Sequence, residues 1–360
     1  MLLPSTRVVV VTSPAQSHPS TEIIWATLNS LTLLGGLAEA PITVVCDGCR
    51  PASSLEPAYA QRLAARLATN PIRFSKRGIV TDDVAAGYEQ FKRRLIAEAA
   101  EAGYGEDRLA LLELNSHHGF GFSVREGLRS VLAAGAQYAL IVQHDRAFCR
   151  RMPASDVRRL FAHFERHAEC RYIGFPSGTS KLLARRTQLE YKLSHLLEQR
   201  TYALRSGGGS RLALRPCIFW YDSNHLVDAA KALELFAPFE CAPRGLLERL
   251  GGAGLNRFRL RRGDFTEERF GVEQRNLLVG LRDEPEACVR YFDWFGSYLL
   301  EELVEEGGDG DGEAEDGSGP LFCDRDGRVT YVDHIDARGA VPPSRRRAGA
   351  LRRARKAQGE

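Results

Sequence analysis

Hydrophobic residues in the first half of the chain alternate between short continuous runs and stretches of helical spacing. The runs at 7–11 (RVVVV), 42–45 (ITVV) and 138–142 (YALIV) are typical of strands buried on both faces. The other elements predicted in this half are strands over 72–74 and 109–114 and helices over 21–34, 56–67, 83–100 and 124–134. Repeated alternation of strand and helix predicts right-handed crossovers and a mostly parallel α/β sheet flanked by helices.

The second half is less regular. Its predicted elements are strands over 171–175 and 216–221, helices over 181–204, 226–236, 267–281 and 285–302, and a short hairpin within 321–338 that turns at Asp326-Gly327. The simplest division is one domain over 1–300, with halves 1–148 and 149–300, and a small C-terminal appendage. An acidic glycine-rich linker (301–320) leads to the hairpin, and a basic tail (339–360) follows it.

Composition and charge narrow the function classes. Hydrophobic residues make up 44% of the chain, as in ordinary globular proteins. The net charge of +3 says little, because an acidic and a basic stretch, each expected to be disordered, lie close together near the C-terminus. A short basic run on a balanced chain does not predict specific nucleic-acid binding. No apolar run approaches the roughly 20 residues of a membrane span, and no signal-peptide pattern opens the chain, so we expect a cytoplasmic protein.

Polar residues follow three of the predicted strands directly. In open α/β sheets, ligands bind beyond the carboxyl ends of the strands, where the strand order reverses. The three ends are Thr12-Ser13-Pro14, Asp47-Gly48 and Gln143-His144-Asp145. A carboxylate such as Asp145 can hold a divalent cation against a diphosphate. The alternatives are that Asp145 caps a turn and that His144 is a structural histidine.

The stretch HHGFGFSVREGLRSVLAAGAQYALIVQHD (117–145) resembles the central part of family 2 type glycosyltransferases, which have the GT-A (Rossmann-like) fold. The resemblance implies a nucleotide-diphospho-sugar transferase. It places Gly119 in the loop before the helix and Arg125 near the sugar phosphates. Gln143, His144 and Asp145 take the place of an Asp-x-Asp motif, which implies that Asp145 binds Mg²⁺ or Mn²⁺. Glutamine at 143 leaves one carboxylate where the family pattern has two.

The first two strands carry the same resemblance. The family's turn after its opening strand lies against the base and ribose, which implies nucleotide contacts for Thr12, Ser13 and Pro14. PITVVCDGC resembles the second strand, whose terminal aspartate contacts the nucleoside, and Asp47 with Gly48 matches it. The alternatives are a plain Asp-Gly turn and a redox pair of Cys46 and Cys49. Residues 1–148 are thus expected to bind the nucleotide and 149–300 the acceptor.

The general base is expected at the start of a late helix, in an acidic pair. The resemblance favours Glu273, with Glu268 second; the alternative is a solvated helix face. Four residues of IFWYDSNHLV are candidates for lining the acceptor site: Trp220, Tyr221, Asp222 and His225. The alternatives are that the aromatic residues belong to the core and that Asp222 caps a helix.

The resemblance implies glycosyl transfer from a nucleotide diphosphate sugar to an acceptor hydroxyl on a carbohydrate, lipid or protein, inverting and metal-assisted. A nucleotidyltransferase would carry a basic phosphate-binding loop after the first strand, and TSPAQSHPST has none. The other alternative is a non-catalytic nucleotide- or sugar-binding module of the same fold, which Gln143 in the metal motif favours.

Overall fold

A nine-stranded mixed sheet forms the centre of the protein. The computed structural model describes residues 3–59, 61–62, 65, 77–177, 180, 183–204, 212–302 and 331–334. The strands are β1 (Thr6–Thr12), β2 (Ile42–Cys46), β3 (Arg50–Pro51), β4 (Ile79–Val80), β5 (Leu109–Glu113), β6 (Tyr138–Gln143), β7 (Arg146–Phe148), β8 (Tyr172–Gly174), β9 (Tyr202–Leu204), β10 (Leu212–Pro216), β11 (His225–Asp228), β12 (Ser297–Glu302) and β13 (Val332–His334).

The order of the large sheet is β5-β2-β1-β6-β11-β8-β12-β10-β9. All of its strands except β10 and β11 run in one direction. The chain builds β1, β2 and β5 outward on one side and then crosses to β6 on the other side of β1. The strand order therefore reverses between β1 and β6, and ligands of open α/β sheets bind at such a point. Because Thr12 pairs with Cys46, and Val11 with Gln143, the three strand ends lie side by side there.

Helices cover the sheet and complete the core. They are α1 (Glu22–Ser30), α2 (Asp82–Glu101), α3 (Phe120–Ala133), α4 (Ala154–Arg166), α5 (Leu183–Leu189), α6 (Ser194–Arg200), α7 (Ala229–Leu235), α8 (Pro238–Cys241), α9 (Arg244–Leu255), a π-helical turn (Glu267–Gly271), α10 (Val272–Gly280) and α11 (Pro285–Phe295). Helix α3 packs tightly on β1 and β2, since a methyl group on Gly127 would lie 2.5 Å from Val9 Cγ1. This contact holds the middle of α3 close to the sheet.

The first half folds as its sequence predicts. The strands expected over 7–11, 42–45, 109–114 and 138–142 are present, and each bound is within one residue. The helix expected over 124–134 begins four residues earlier, at Phe120. The strand expected over 72–74 lies outside the described residues, as does most of the helix expected over 56–67.

Several predictions for the second half were wrong. The long helix expected over 181–204 is instead α5, α6 and strand β9, with Lys192 in a left-handed conformation between the helices. The strand expected over 216–221 ends at Pro216. The helix expected over 226–236 begins as β11, because the sheet takes His225–Asp228 between β6 and β8. The helix expected over 285–302 ends at Phe295, and the remainder forms β12.

The C-terminal appendage is described only at 331–334. There β13 pairs with β7, the strand that follows Asp145 directly, and Tyr331 donates a hydrogen bond to Glu302. The predicted acidic linker, apart from its first two residues, the rest of the hairpin and the basic tail lie outside the described residues. Within the described part of the chain, no helix combines the length and the apolar character that crossing a bilayer requires.

Candidate functional site

The carboxyl ends of β1, β2 and β6 open into one cleft of about 270 Å³. Seven residues that the sequence singles out line it: Thr12, Ser13, Pro14, Asp47, Gln143, His144 and Asp145. Gly119, from the loop before α3, lines it as well, whereas Gly48 is not among the lining residues. The predicted convergence of the three strand ends is therefore present in the structure.

Asp145 lies two residues beyond the end of β6, a strand that is buried up to Val142. Its residue is only 7% exposed, although it borders the cleft. The neighbouring backbone is held on both sides: the His144 amide donates to the Val11 carbonyl, and Thr27 Oγ1 donates to the His144 carbonyl. A carboxylate fixed in this way has a defined position relative to the other strand ends, as binding of a charged ligand requires.

Asp47, directly after β2, forms hydrogen bonds to the loop before α3. Its carboxylate accepts the amides of His118 (2.6 Å) and Gly119 (3.0 Å) and lies 2.8 Å from His117 Nδ1. The close approach of this loop also explains Gly48, where a methyl group would lie 2.5 Å from the Leu114 carbonyl oxygen. Asp47 thus holds the cleft wall in place, and its predicted contact with the nucleoside stays a prediction.

One wall of the cleft, called the upper wall below, is formed by Gly119 and Phe120 together with Gly263 and Phe265, and its two glycines allow the close approach of the two segments. Gly119 has φ +76°, and a methyl group on it would lie 2.5 Å from the Gly263 Cα atom. Gly263 lies in the segment that precedes the π-helical turn, and its amide donates to the His118 carbonyl. Phe265 from the same segment stacks on Phe120 with ring centroids 6.1 Å apart. The wall therefore joins the two halves of the chain.

Three buried polar atoms of the cleft have no hydrogen-bond partner among the described residues. They are Thr12 Oγ1 at the end of β1, Ser123 Oγ in α3 and His144 Nε2 just after β6. A buried polar group without a partner costs on the order of 1–3 kcal/mol. A ligand with donors and acceptors facing these atoms would recover that energy, so the cleft is suited to a polar ligand. Ser123 also belongs to the first turn of α3, whose N-terminus favours anions.

The loop after β1 is held against α2 by a neutral histidine. His18 Nδ1 accepts the Ala15 amide, and its ring packs 4.2 Å from Phe91 and 5.0 Å from Tyr88. Burial, together with the nearby His144, lowers the pKa of His18 to about 3. The Ser13-Pro14-Ala15 segment therefore has a fixed place at the cleft mouth throughout the physiological pH range.

Gln143 connects the cleft to a pair of buried carboxyl groups. Its side-chain nitrogen donates to the Asp222 carbonyl at 2.6 Å, and its side-chain oxygen accepts from Arg146 Nε at 3.3 Å. The Asp222 carboxylate accepts the Glu267 amide, and the Asp222 amide donates to Glu267 Oε2 at 3.4 Å. Both polar atoms of the Gln143 side chain are therefore used in hydrogen bonds within the protein, to Asp222 and Arg146.

The carboxyl groups of Asp222 and Glu267 both have raised pKa values. Burial, followed by repulsion from Glu267, raises the pKa of Asp222 well above its usual range. Burial also raises the pKa of Glu267, and Glu268 adds to that effect while Arg146 opposes it. Titratable groups with perturbed pKa values beside a cleft are candidates for functional sites.

The acidic residues at the start of the late helix are not the expected ones. That helix begins with the π-helical turn at Glu267, so the pair at its start is Glu267 and Glu268. Glu273 lies further along the same helical segment, and none of Glu267, Glu268 and Glu273 lines the cleft. Glu267 is not among the candidates for the base in the sequence, although it opens the helix predicted over 267–281.

Arg125 and the aromatic candidates do not face the cleft. Arg125 lies on another face of α3, paired with Glu126 and placed 4.1 Å above the Phe122 ring. Trp220, Tyr221 and His225 are buried, and both Trp220 and His225 pack against Tyr172. Burial lowers the pKa of His225 to about 4. This packing corresponds to the core alternative for the aromatic residues. The helix that Asp222 was expected to cap near Leu226 is replaced by β11, and Asp222 accepts the amide of Glu267 instead.

Asp145 is the candidate carboxylate ligand for the predicted metal in this cleft. Among the described residues, no three His, Cys, Asp or Glu side chains converge as a metal-binding group. Mg²⁺ is commonly held by one or two carboxylates together with substrate phosphates and water, so Asp145 fits a cation that arrives with a diphosphate. Cys46 and Cys49 are free thiols, and burial raises the pKa of Cys46 to about 12, which disfavours a redox role.

No model of a protein family matches the chain, and no curated protein is significantly similar to it. Solved structures similar to it include Staphylococcus aureus TarS 1-349 in complex with UDP (TM-score 0.32, 13% identity, 71% of this chain and 53% of that chain). A second is mouse xyloside xylosyltransferase 1 (TM-score 0.33, 9% identity, 78% of this chain and 83% of that chain). A third is a cytidylyltransferase from Leptospira borgpetersenii (TM-score 0.31, 6% identity, 79% of this chain and 73% of that chain). This chain spans about half the length of the TarS 1-349 chain. With TM-scores this low, the similarities alone do not establish an activity.

Proposed function

We propose that the protein transfers a sugar from a nucleotide diphosphate sugar to an acceptor hydroxyl. The observation that carries the proposal is the cleft at the strand-order reversal, where Asp145 and the unpartnered atoms of Thr12, Ser123 and His144 face one space. The turn after β1 would contact the nucleoside, and the first turn of α3 would lie near the diphosphate. Asp145 would hold the cation that accompanies the diphosphate.

The proposed reaction is a single displacement with inversion. The acceptor oxygen bonds to the anomeric carbon while the bond from that carbon to the diphosphate oxygen breaks, and the nucleoside diphosphate leaves with the bonding electrons. The acceptor proton passes to the Glu267 carboxylate as general base. A divalent cation, when bound, supplies positive charge to the leaving diphosphate.

Glu267 suits the role of base for two reasons. Its raised pKa makes it a stronger proton acceptor than an exposed glutamate, once it is ionised. Asp222, whose amide donates to Glu267, is linked through Gln143 to the strand end that carries Asp145. The base and the diphosphate site would therefore be held by one hydrogen-bond network.

A second candidate function is binding of a nucleotide or sugar without turnover. Asp47 and Asp145 are the carboxylates among the lining residues, and Asp47 is occupied by the 117–119 loop. Gln143, which stands where the metal motif has a carboxylate and is bound to Asp222 and Arg146, is the observation that favours this candidate. Incubation with a panel of sugar nucleotides, with and without Mn²⁺, separates the two, because only the enzyme releases nucleoside diphosphate.

Removing the unpartnered hydroxyls tests the ligand site itself. Thr12→Val and Ser123→Ala are each expected to weaken nucleoside diphosphate binding by about tenfold, the loss of roughly one hydrogen bond. Neither is expected to lower the melting temperature, because each replaces a buried hydroxyl without a partner by an apolar group. Isothermal titration and thermal unfolding measure the two effects.

Thr201→Val is the matched control for this experiment. Its Oγ1 is also buried without a partner among the described residues, but Thr201 does not line the cleft. We expect unchanged nucleotide binding in this variant. Equal binding by wild type, Thr12→Val and Ser123→Ala would contradict a ligand at these atoms.

A further inference from the structure

A second cavity, of about 500 Å³, adjoins the cleft on the other side of its upper wall. The residues that characterise it are Phe122, Arg125, Phe236, Asn256, Arg259 and Arg261. The wall between the two spaces is thin: Gly119 touches Gly263, and a methyl group on Gly121 would lie 3.0 Å from Leu260 Cδ1. Three guanidinium groups therefore surround a space beside the proposed sugar-transfer site.

The segment 257–262 directs its arginines outward by alternation. Phe258 and Leu260 are buried, whereas Arg259 and Arg261 are exposed. Neither guanidinium forms an ion pair with any residue that the structure describes, although exposed arginines elsewhere in the chain, such as Arg244 and Arg249, do. The two charges are thus available to a ligand.

Arg125 contributes a third, partly compensated charge. Its Nε and Nη2 donate to Glu126, and its guanidinium lies over the Phe122 ring. The lining residues include no aspartate or glutamate. Repulsion among the guanidinium groups would be relieved by an anion placed between them, and arginine matches the geometry of phosphate oxygens with two parallel donors.

We propose that Arg259, Arg261 and Arg125 form a phosphate-binding site that is separate from the nucleotide cleft. Phosphate is favoured over a single carboxylate because its several oxygens can accept from more than one guanidinium at once. Given the proposed function, on which this step rests, the ligand is a phosphate group of the acceptor, bound beside the cleft so that its hydroxyl reaches the sugar.

Titration of inorganic phosphate into the full chain, in the presence of saturating UDP, tests the site. Arg259→Gln/Arg261→Gln is expected to bind phosphate at least about tenfold more weakly than wild type, through loss of charge-assisted hydrogen bonds. The matched control is Arg244→Gln/Arg282→Gln, which removes the same charge from exposed pairs elsewhere and is expected to bind as wild type does. Acetate in place of phosphate tests the preference for phosphate.

Equal phosphate binding by Arg259→Gln/Arg261→Gln and wild type would overturn the proposal, as would equal weakening in the control. Stronger binding of acetate than of phosphate would overturn it as well. Failure of UDP to bind counts against the proposed function only, because the arginine variants still report on phosphate.

Sedimentation with vesicles identifies the source of the phosphate. Vesicles of phosphatidylcholine with and without phosphatidylglycerol are compared, using wild type and Arg259→Gln/Arg261→Gln. Retention that needs both phosphatidylglycerol and the two arginines indicates a lipid headgroup. Phosphate binding without retention indicates a soluble phosphorylated acceptor, and both results support the site.

Discussion

Replacing Asp145 by asparagine is expected to lower the release of nucleoside diphosphate from a sugar nucleotide by about 100- to 1,000-fold, the usual cost of losing one group that stabilises transition-state charge. The substitution keeps the size of the buried side chain and removes its charge at the end of β6. Without that charge, a cation is bound less well against the leaving diphosphate. The measurement is product release under saturating donor and Mn²⁺.

Asp228→Asn is the control for this variant. Asp228 is also buried, but it caps α7 by accepting the Lys231 amide and lies away from the cleft. Asparagine is an equally good cap, so stability and turnover are both expected to stay near those of wild type. Turnover by Asp145→Asn at the wild-type rate would contradict the assigned role of this carboxylate.

Replacing Glu267 by glutamine is expected to lower turnover by about 100- to 10,000-fold, the range for loss of a general base. Nucleotide binding is expected to remain, since Glu267 does not line the cleft. Glu273→Gln and Glu268→Gln are the matched variants on the same helical segment. If Glu273→Gln abolished turnover and Glu267→Gln did not, the base would be Glu273.

The same variant has a predicted effect on stability. Burial raises the pKa of Glu267, and a carboxyl whose pKa is raised by folding stabilises the fold fully below its unfolded pKa. That stabilisation is lost as the pH rises through the folded pKa. Glutamine does not titrate, so the melting temperature of Glu267→Gln relative to wild type is expected to rise with pH above the usual glutamate range. A difference that is constant with pH would contradict the raised pKa.

The part of the fold that could be predicted is the part with an unambiguous hydrophobic pattern. RVVVV and YALIV are buried on both faces and have no competing helical spacing. HLVD (225–228) has no such signal, and it becomes a strand only because a gap between β6 and β8 accepts it. Gly296 adopts the left-handed conformation that commonly ends helices, and this glycine was a signal for the end of α11. The apolar residues after it led to the wrong prediction of a longer helix.

The site could be predicted as far as strand ends define it. Asp47 and Asp145 face one cleft because parallel neighbouring strands end at the same edge. Arg125 lies outside the cleft because it is two positions from Ser123, which lines the cleft, and residues two apart on a helix face different directions. The contribution of Gly263 depends on a contact across more than a hundred residues, which no local pattern contains.

The central claim is that the cleft at the ends of β1, β2 and β6 binds a nucleoside diphosphate. Hydrogen exchange measured by mass spectrometry, with uridine and guanosine diphosphates in turn and Mn²⁺ present, tests it most directly. We predict that at least one nucleotide slows exchange at residues 12–15, 117–123 and 143–146 and leaves α9 unchanged. Slowed exchange confined to other segments, or no slowing with either nucleotide, would contradict the claim.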